Sequence, residues 1–283
     1  MNLRGEIILN FGKEKEWLLK NLNNSDVRII DCRFSLAEPD KGSLDYQINH
    51  LPGAVYFHLE KDLSSPVTHH GGRHPIPEIS EFVDKLEKAG INQNTIVVAY
   101  DDGEGAFAAR FWWMLQYLGH ENVYVLEGGF KGWLEANYPL TAEVPSFAKA
   151  NFISSIKSEW LASMEEVKTV VQNRPDNIIL IDSREEKRYL GIEEPIDKKA
   201  GHIPGAVNKP WFEGLKSGFY KSEVEQKQRF LDIDPNNEII VYCGSGVTAV
   251  PNFIALKKAG FPRVKLYLGS FSDWISYEEN EID

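Results

Sequence analysis

Val27-Arg28-Ile29-Ile30-Asp31-Cys32-Arg33 returns later in the chain as Ile178-Ile179-Leu180-Ile181-Asp182-Ser183-Arg184. Each copy is a short β-branched apolar run that ends on an aspartate, with an arginine two residues on. Such a run reads as a strand buried on both faces, with polar residues at its carboxyl end. The repetition extends outward from there. His50-Leu51-Pro52-Gly53-Ala54-Val55 matches His202-Ile203-Pro204-Gly205-Ala206-Val207, and Thr95-Ile96-Val97-Val98-Ala99-Tyr100 matches Glu238-Ile239-Ile240-Val241-Tyr242. Leu126-Glu127-Gly128-Gly129-Phe130 with Trp133 matches Leu268-Gly269-Ser270-Phe271 with Trp274. All four pairs keep their order at offsets of about 140 to 152 residues. That period is far too long for a stacked solenoid, so the chain is a duplicated domain.

Within each copy, strands alternate with helical patterns. Strands are predicted at 27–30, 96–100 and 123–126, then at 178–181, 239–242 and 264–267. Helices are predicted at 79–89 and 106–118, then at 164–172 and 247–259. This alternation implies an α/β fold in which each domain is a mostly parallel sheet with helices on both faces. Residues 139–149 hold two prolines and no clear period, which reads as a connection. The domains are placed at 1–140 and 155–283, with a linker at 141–154.

The bulk numbers narrow the function. A chain of 283 residues has room for two domains of ordinary size. A net charge of -11 argues against general nucleic-acid binding, which demands a basic surface. No apolar stretch approaches the ~18 residues that a membrane helix needs, and Met1–Ile8 does not read as a signal peptide. Two cysteines are too few for a disulfide framework or a four-thiolate metal site. A soluble cytoplasmic protein with a reactive thiol is expected.

Duplication supplies an internal control. Ligands of open α/β sheets bind at the carboxyl ends of strands. After Tyr100 the first copy has Asp101-Asp102-Gly103-Glu104-Gly105, whereas after Tyr242 the second has Cys243-Gly244-Ser245-Gly246-Val247-Thr248. Two glycines allow backbone N–H groups to converge as an anion nest, and the following helix adds its positive end. Both effects lower a thiol pKa, so Cys243 is the expected nucleophile. Cys32, replaced by Ser183 in the other copy, reads as structural.

Three other chemistries are weighed against this loop. A cysteine phosphatase needs an arginine at the sixth residue after its cysteine, where this chain has Ala249. Gly103-x-Gly105-x-x-Ala108 mimics a dinucleotide fingerprint, but its alignment with the Cys243 loop explains it better. His69, His70 and His74 lack further ligands at metal spacing. No cofactor and no metal is expected. Trp112, Trp113, Trp133, Trp211 and Trp274 read as packing residues. Asp31 with Arg33, and Asp182 with Arg184, read as buried ion pairs that order loops, with Arg184 also a candidate for touching substrate.

The joint pattern of Asp182-x-Arg184, Gly201-His202-Ile203-Pro204-Gly205-Ala206, the Cys243 loop and Leu268-Gly269-Ser270-Phe271-x-x-Trp274 resembles the two-domain rhodanese-type sulfurtransferases. The loop itself resembles the 3-mercaptopyruvate branch, because the thiosulfate branch carries basic residues after its cysteine. The resemblance implies two tandem rhodanese-like domains, the first lacking the catalytic cysteine. It implies that Cys243 takes sulfur from a small anionic donor as a persulfide. The sulfur then passes to cyanide, a thiol or a reduced thioredoxin-like acceptor. Gly244, Gly246, Val247 and Thr248 line the nest. Arg188 matches the arginine that binds the donor anion. The second arginine of the mercaptopyruvate branch is missing from Glu193-Glu194-Pro195-Ile196-Asp197-Lys198-Lys199, where Lys198 is the available substitute. Ser245 and His74 match a proton relay, with Glu60 as its acidic member and Asp62 close by. Thiosulfate is the alternative donor, and a persulfide carrier without small-donor turnover is the alternative role.

Overall fold

The computed structural model describes residues 11–216 and 218–283, and the Met1–Ile8 stretch considered above lies outside them. The chain divides into two compact units. One comprises Phe11–Pro66 and Ile76–Lys157, and the other comprises Val67–Pro75 and Ser158–Asp283 among the described residues. The segment Val67–Pro75 therefore packs with the second copy although it sits inside the first copy's sequence.

The first unit runs β1 (Gly12–Lys13), α1 (Lys15–Lys20), β2 (Val27–Asp31), α2 (Lys41–Ile48), β3 (Ala54–Tyr56), α3 (Ile79–Lys88), β4 (Ile96–Tyr100), α4 (Ala106–Tyr117), β5 (Val123–Leu126) and α5 (Gly129–Glu135). Its five strands lie in the order β1-β5-β4-β2-β3, all parallel. The second unit runs α6 (Met164–Asn173), β6 (Ile178–Asp182), α7 (Glu186–Tyr189), β7 (Val207–Asn208), β8 (Leu215–Lys216), β9 (Phe219–Tyr220), α8 (Glu223–Arg229), β10 (Glu238–Tyr242), α9 (Ala249–Lys258), β11 (Val264–Leu266) and α10 (Ser270–Trp274). Its main sheet is β11-β10-β6-β7, again all parallel, beside a small β8-β9 hairpin.

The central strands are buried because their side chains are apolar on both faces: Val97–Tyr100 and Ile239–Tyr242 have essentially no exposure. Helix α4 is apolar around most of its surface and is buried over nearly its whole length. Helix α9 buries Ala249 through Leu256 and ends on two lysines, the favourable charge for a helix C-terminus. Trp112, Trp113, Trp133 and Trp274 are buried as expected of packing residues.

The short elements are absent from the sequence-based expectation. Helix α2 has no apolar periodicity to announce it, and β7 is only two residues long. Helix α9 starts at Ala249, two residues later than predicted. Residues 243–248 turn back on themselves before the helix begins, and that turn makes the site. Residues 142–157 form no helix or strand, yet they pack against the first unit: Ala150 N–H donates to Glu87 O (2.9 Å) and Ser155 N–H to Leu118 O (2.8 Å).

Candidate active site

Cys243 follows the last residue of β10 and is 1% exposed. Burial pushes its thiol pKa up. The Thr248 side chain and the backbone N–H groups of Ser245, Ala249 and Gly246 oppose this by hydrogen bonding. The hydrogen bonds win, and the pKa lies below that of an ordinary thiol. The Gly246 N–H donates to Sγ at 3.2 Å. Cys32 is equally buried, but there burial and the charges of Asp31 and Asp101 all act in one direction and raise its pKa. Two cysteines of equal exposure are thus placed on opposite sides of the ordinary value by their loops.

The corresponding loop of the first unit keeps the nest and fills it. Asp101 stands directly after Tyr100, as Cys243 stands after Tyr242. Its Oδ1 accepts from the N–H groups of Gly103 (3.0 Å) and Gly105 (2.9 Å), and its Oδ2 from those of Phe107 (3.0 Å) and Ala108 (3.2 Å). The chain's own carboxyl group occupies the place that a bound anion would take.

Buried frames hold both loops. Arg33 pairs with Asp31 and lies over the Phe130 ring, and Arg184 pairs with Asp182 and lies over the Phe271 ring. Arg184 also donates to Gly201 O (2.7 Å) and Glu194 Oε2 (3.2 Å). Its place matches that of Arg33, so its task here is to brace the frame. Behind Cys243, Phe271 N–H donates to Cys243 O (3.0 Å), as Phe130 N–H does to Asp101 O (2.8 Å).

Ser270 departs from that symmetry. Its φ is +57°, and the matching residue of the first unit is Gly129 at +54°. A side chain at this φ costs about 1–2 kcal/mol. Ser270 Oγ accepts the Cys243 N–H (3.1 Å) and donates to Tyr267 O (2.9 Å). Strain is accepted where a hydroxyl orients the Cys243 backbone. Replacing Ser270 with glycine relieves that strain while losing the hydrogen bond. Stability is expected to stay within about 1 kcal/mol in denaturant titrations, while any activity of the Cys243 thiol falls roughly tenfold. Full activity in this variant would remove Ser270 from any positioning role.

Of the expected relay, His74 is buried and its Nδ1 lies 2.9 Å from Ser245 Oγ. Glu60 belongs to the first unit, where its side chain is exposed and its N–H contacts His58 Nδ1 (3.1 Å). The neighbouring Asp62 takes the His58 N–H (2.7 Å) and an ion pair with Lys85. His70 stacks on Tyr277 and bonds Ser276 Oγ (2.8 Å). Among the described residues, no group of three or more His, Cys, Asp or Glu side chains could hold a metal ion, and no helix is long and apolar enough to cross a membrane.

Arg188 is mostly buried, and Glu194 and Asp197 both pair with it. Glu194 also accepts the N–H groups of Ile196 and Asp197, which shapes the turn between them. Lys198, the substitute offered by the sequence, is exposed to solvent. The second cation beside the loop is Arg73, which pairs with Asp197. A Cβ added to Gly244 would lie 2.8 Å from Arg73 Nη2 and 3.3 Å from Arg188 Nη2. Sequence spacing could not reveal this, because Arg73 and Asp197 are more than a hundred residues apart. The only signal was that Arg73 adjoins His74.

The rhodanese-like domain model matches residues 14–136 and again 160–277, which is most of the chain. The chain belongs to the rhodanese family. It is 42% identical over 265 residues to a probable 3-mercaptopyruvate sulfurtransferase of Pseudomonas aeruginosa, covering 92% of this chain and 93% of that protein. It is 34% identical over 273 residues to mouse thiosulfate sulfurtransferase, covering 92% and 90%. The crystal structure of SseA from Escherichia coli, described as a 3-mercaptopyruvate sulfotransferase, superposes with a TM-score of 0.80 at 31% identity, covering 93% of this chain and 99% of that one. Tandem rhodanese domains therefore account for the repeat, and these relatives are named as sulfurtransferases.

Proposed function

We infer that the protein is a 3-mercaptopyruvate sulfurtransferase that works through a persulfide on Cys243. The observation that carries the choice of donor is the Ser245–His74 pair, 2.9 Å apart in the Cys243 loop. The Cys243 thiolate attacks the donor's sulfur. An S–S bond forms as the donor's C–S bond breaks, and the electron pair departs as the enolate of pyruvate. That carbanion equivalent needs a proton, and a serine hydroxyl backed by an imidazole is suited to deliver one. Thiosulfate releases sulfite, which requires no proton at carbon. A thiol, cyanide or reduced thioredoxin-like acceptor then attacks the outer sulfur and frees the Cys243 thiolate. The reducing cytoplasm is the compartment that keeps such a thiol free between turnovers.

The nest of N–H groups serves both half-reactions, since it favours negative charge on the Cys243 sulfur at the start and at the end. Arg188 holds the donor's carboxylate beside this sulfur. The test is to measure kcat/KM for both donors, with cyanide as acceptor, in the wild type and in Ser245→Ala. We expect 3-mercaptopyruvate to be preferred. The variant should lose roughly a hundredfold with mercaptopyruvate while keeping most of its activity with thiosulfate. Equal losses with both donors would remove the relay, and a preference for thiosulfate would overturn the choice of donor.

A further inference from the structure

Three arginines and three carboxylates crowd the mouth of the Cys243 loop, and they are not equivalent. Arg184 is spent on Asp182, Gly201 O and Glu194. Glu194 bridges Arg184 and Arg188 and caps its own turn. Asp197 is different. One of its carboxylate oxygens accepts from Arg188 Nη2 at 2.9 Å, and the other pairs with Arg73. Its side chain is 2% exposed, and Oδ2 comes within 3.5 Å of a Cβ built on Gly244, the residue after the nucleophile. Arg73 is close enough to Cys243 to be affected by its charge: burial lowers the guanidinium pKa, Cys243 raises it, and Arg188 lowers it again.

A carboxylate bridging two guanidinium groups beside the nucleophile has the geometry that a 2-oxo acid's own carboxylate would need. We propose that Arg73 and Arg188 together form the donor-anion site and that Asp197 is a resident anion which an incoming donor displaces, selecting singly charged donors over doubly charged ones. This rests on the reading of Cys243 as the sulfur-accepting nucleophile.

The selection follows from charge. With Asp197 bridging them, the two guanidinium groups are already partly neutralised. A displaced Asp197 stays tethered close by, so its repulsion acts on whatever anion replaces it. That repulsion scales with donor charge and is about twice as large for thiosulfate, a dianion, as for the mercaptopyruvate carboxylate, a monoanion. Acidic groups at the mouth therefore act as an element against the wrong donor, beside the arginines that attract both.

Arg73→Ala, Arg73→Lys and Asp197→Asn test this, with kcat/KM measured for both donors in each. Removing the Asp197 charge should raise kcat/KM for thiosulfate roughly tenfold and for mercaptopyruvate only about threefold, which narrows the wild-type preference. Arg73→Ala should raise KM for mercaptopyruvate roughly tenfold with a smaller change in kcat, and lysine should restore part of that loss. A fall in kcat/KM with both donors in Asp197→Asn, or an unchanged donor ratio, would show that the carboxylate only braces the arginines and would overturn the proposal. An unchanged KM in Arg73→Ala would overturn it equally. Thermal melts of each variant separate these outcomes from misfolding. Binding of pyruvate, the spent donor, measured by calorimetry, reads the same anion site without chemistry and should weaken in Arg73→Ala. Failure of the underlying reading looks different: wild-type protein would then carry no sulfur on Cys243 after exposure to either donor.

Discussion

Cys243→Ser is expected to form no measurable thiocyanate from either donor with cyanide, a loss of at least ~10³-fold. The hydroxyl would occupy the same nest, but an alcohol does not ionise near neutral pH and cannot hold a sulfane sulfur. In the wild type, one sulfur atom should add to the intact mass after exposure to mercaptopyruvate, and peptide mapping should place it on Cys243. Cys32→Ser should keep its activity, because Cys32 is buried where its pKa is raised and lies in the other unit's loop. The depressed Cys243 pKa adds a pH signature. Its alkylation should persist at pH values below the ordinary thiol range and fall away only on further acidification. Sulfur found on Cys32, or undiminished turnover in Cys243→Ser, would end the assignment. Loading of one sulfur without repeated turnover would instead describe a carrier.

Gly246→Ala is expected to disable the nest itself. Gly246 has φ +74°, a region that strains any side chain, and a Cβ there would be driven into the Leu268 carbonyl oxygen and lie 2.9 Å from its carbon. Neither partner can step aside, since Leu268 is buried and leads directly into α10. The loop must open, and the Gly246 N–H bond to Sγ goes with it. The expected cost is about 2–4 kcal/mol in stability. Sulfur transfer should fall roughly a hundredfold or more, as the sulfur loses several aligned donors together. Gly205→Ala is the matched control: its φ is +78°, but a Cβ would meet nothing within 4 Å. It should show the backbone strain without the loss of activity. If both variants lost activity alike, the loop would owe nothing to the close approach of Leu268.

Much of this is legible in the chain itself. The apolar runs ending at Asp31 and Asp182 read as buried strands, and the structure makes them strands; their repetition in order marked two similar domains. The contrast between Asp101 and Cys243 after matching tyrosines pointed to the Cys243 loop, because residues that serve only the fold should survive in both copies. Short elements such as α2 and β7 leave no such mark, since neither carries enough residues or periodicity to be read.

The sequence by itself determined the doubled α/β architecture and the glycine-rich loop that begins at Cys243, both of which depend on local pattern and strand-end chemistry. Only the tertiary structure decided what surrounds Cys243. Long-range packing sets Val67–Pro75 against the second copy, and so brings Arg73 and His74 to the Cys243 loop. It paired Arg73 with Asp197 while leaving Lys198 exposed, and it showed Asp101 filling the first copy's nest. Charge pairing across such distances leaves no periodic trace in a chain, because its partners are chosen by where the backbone returns.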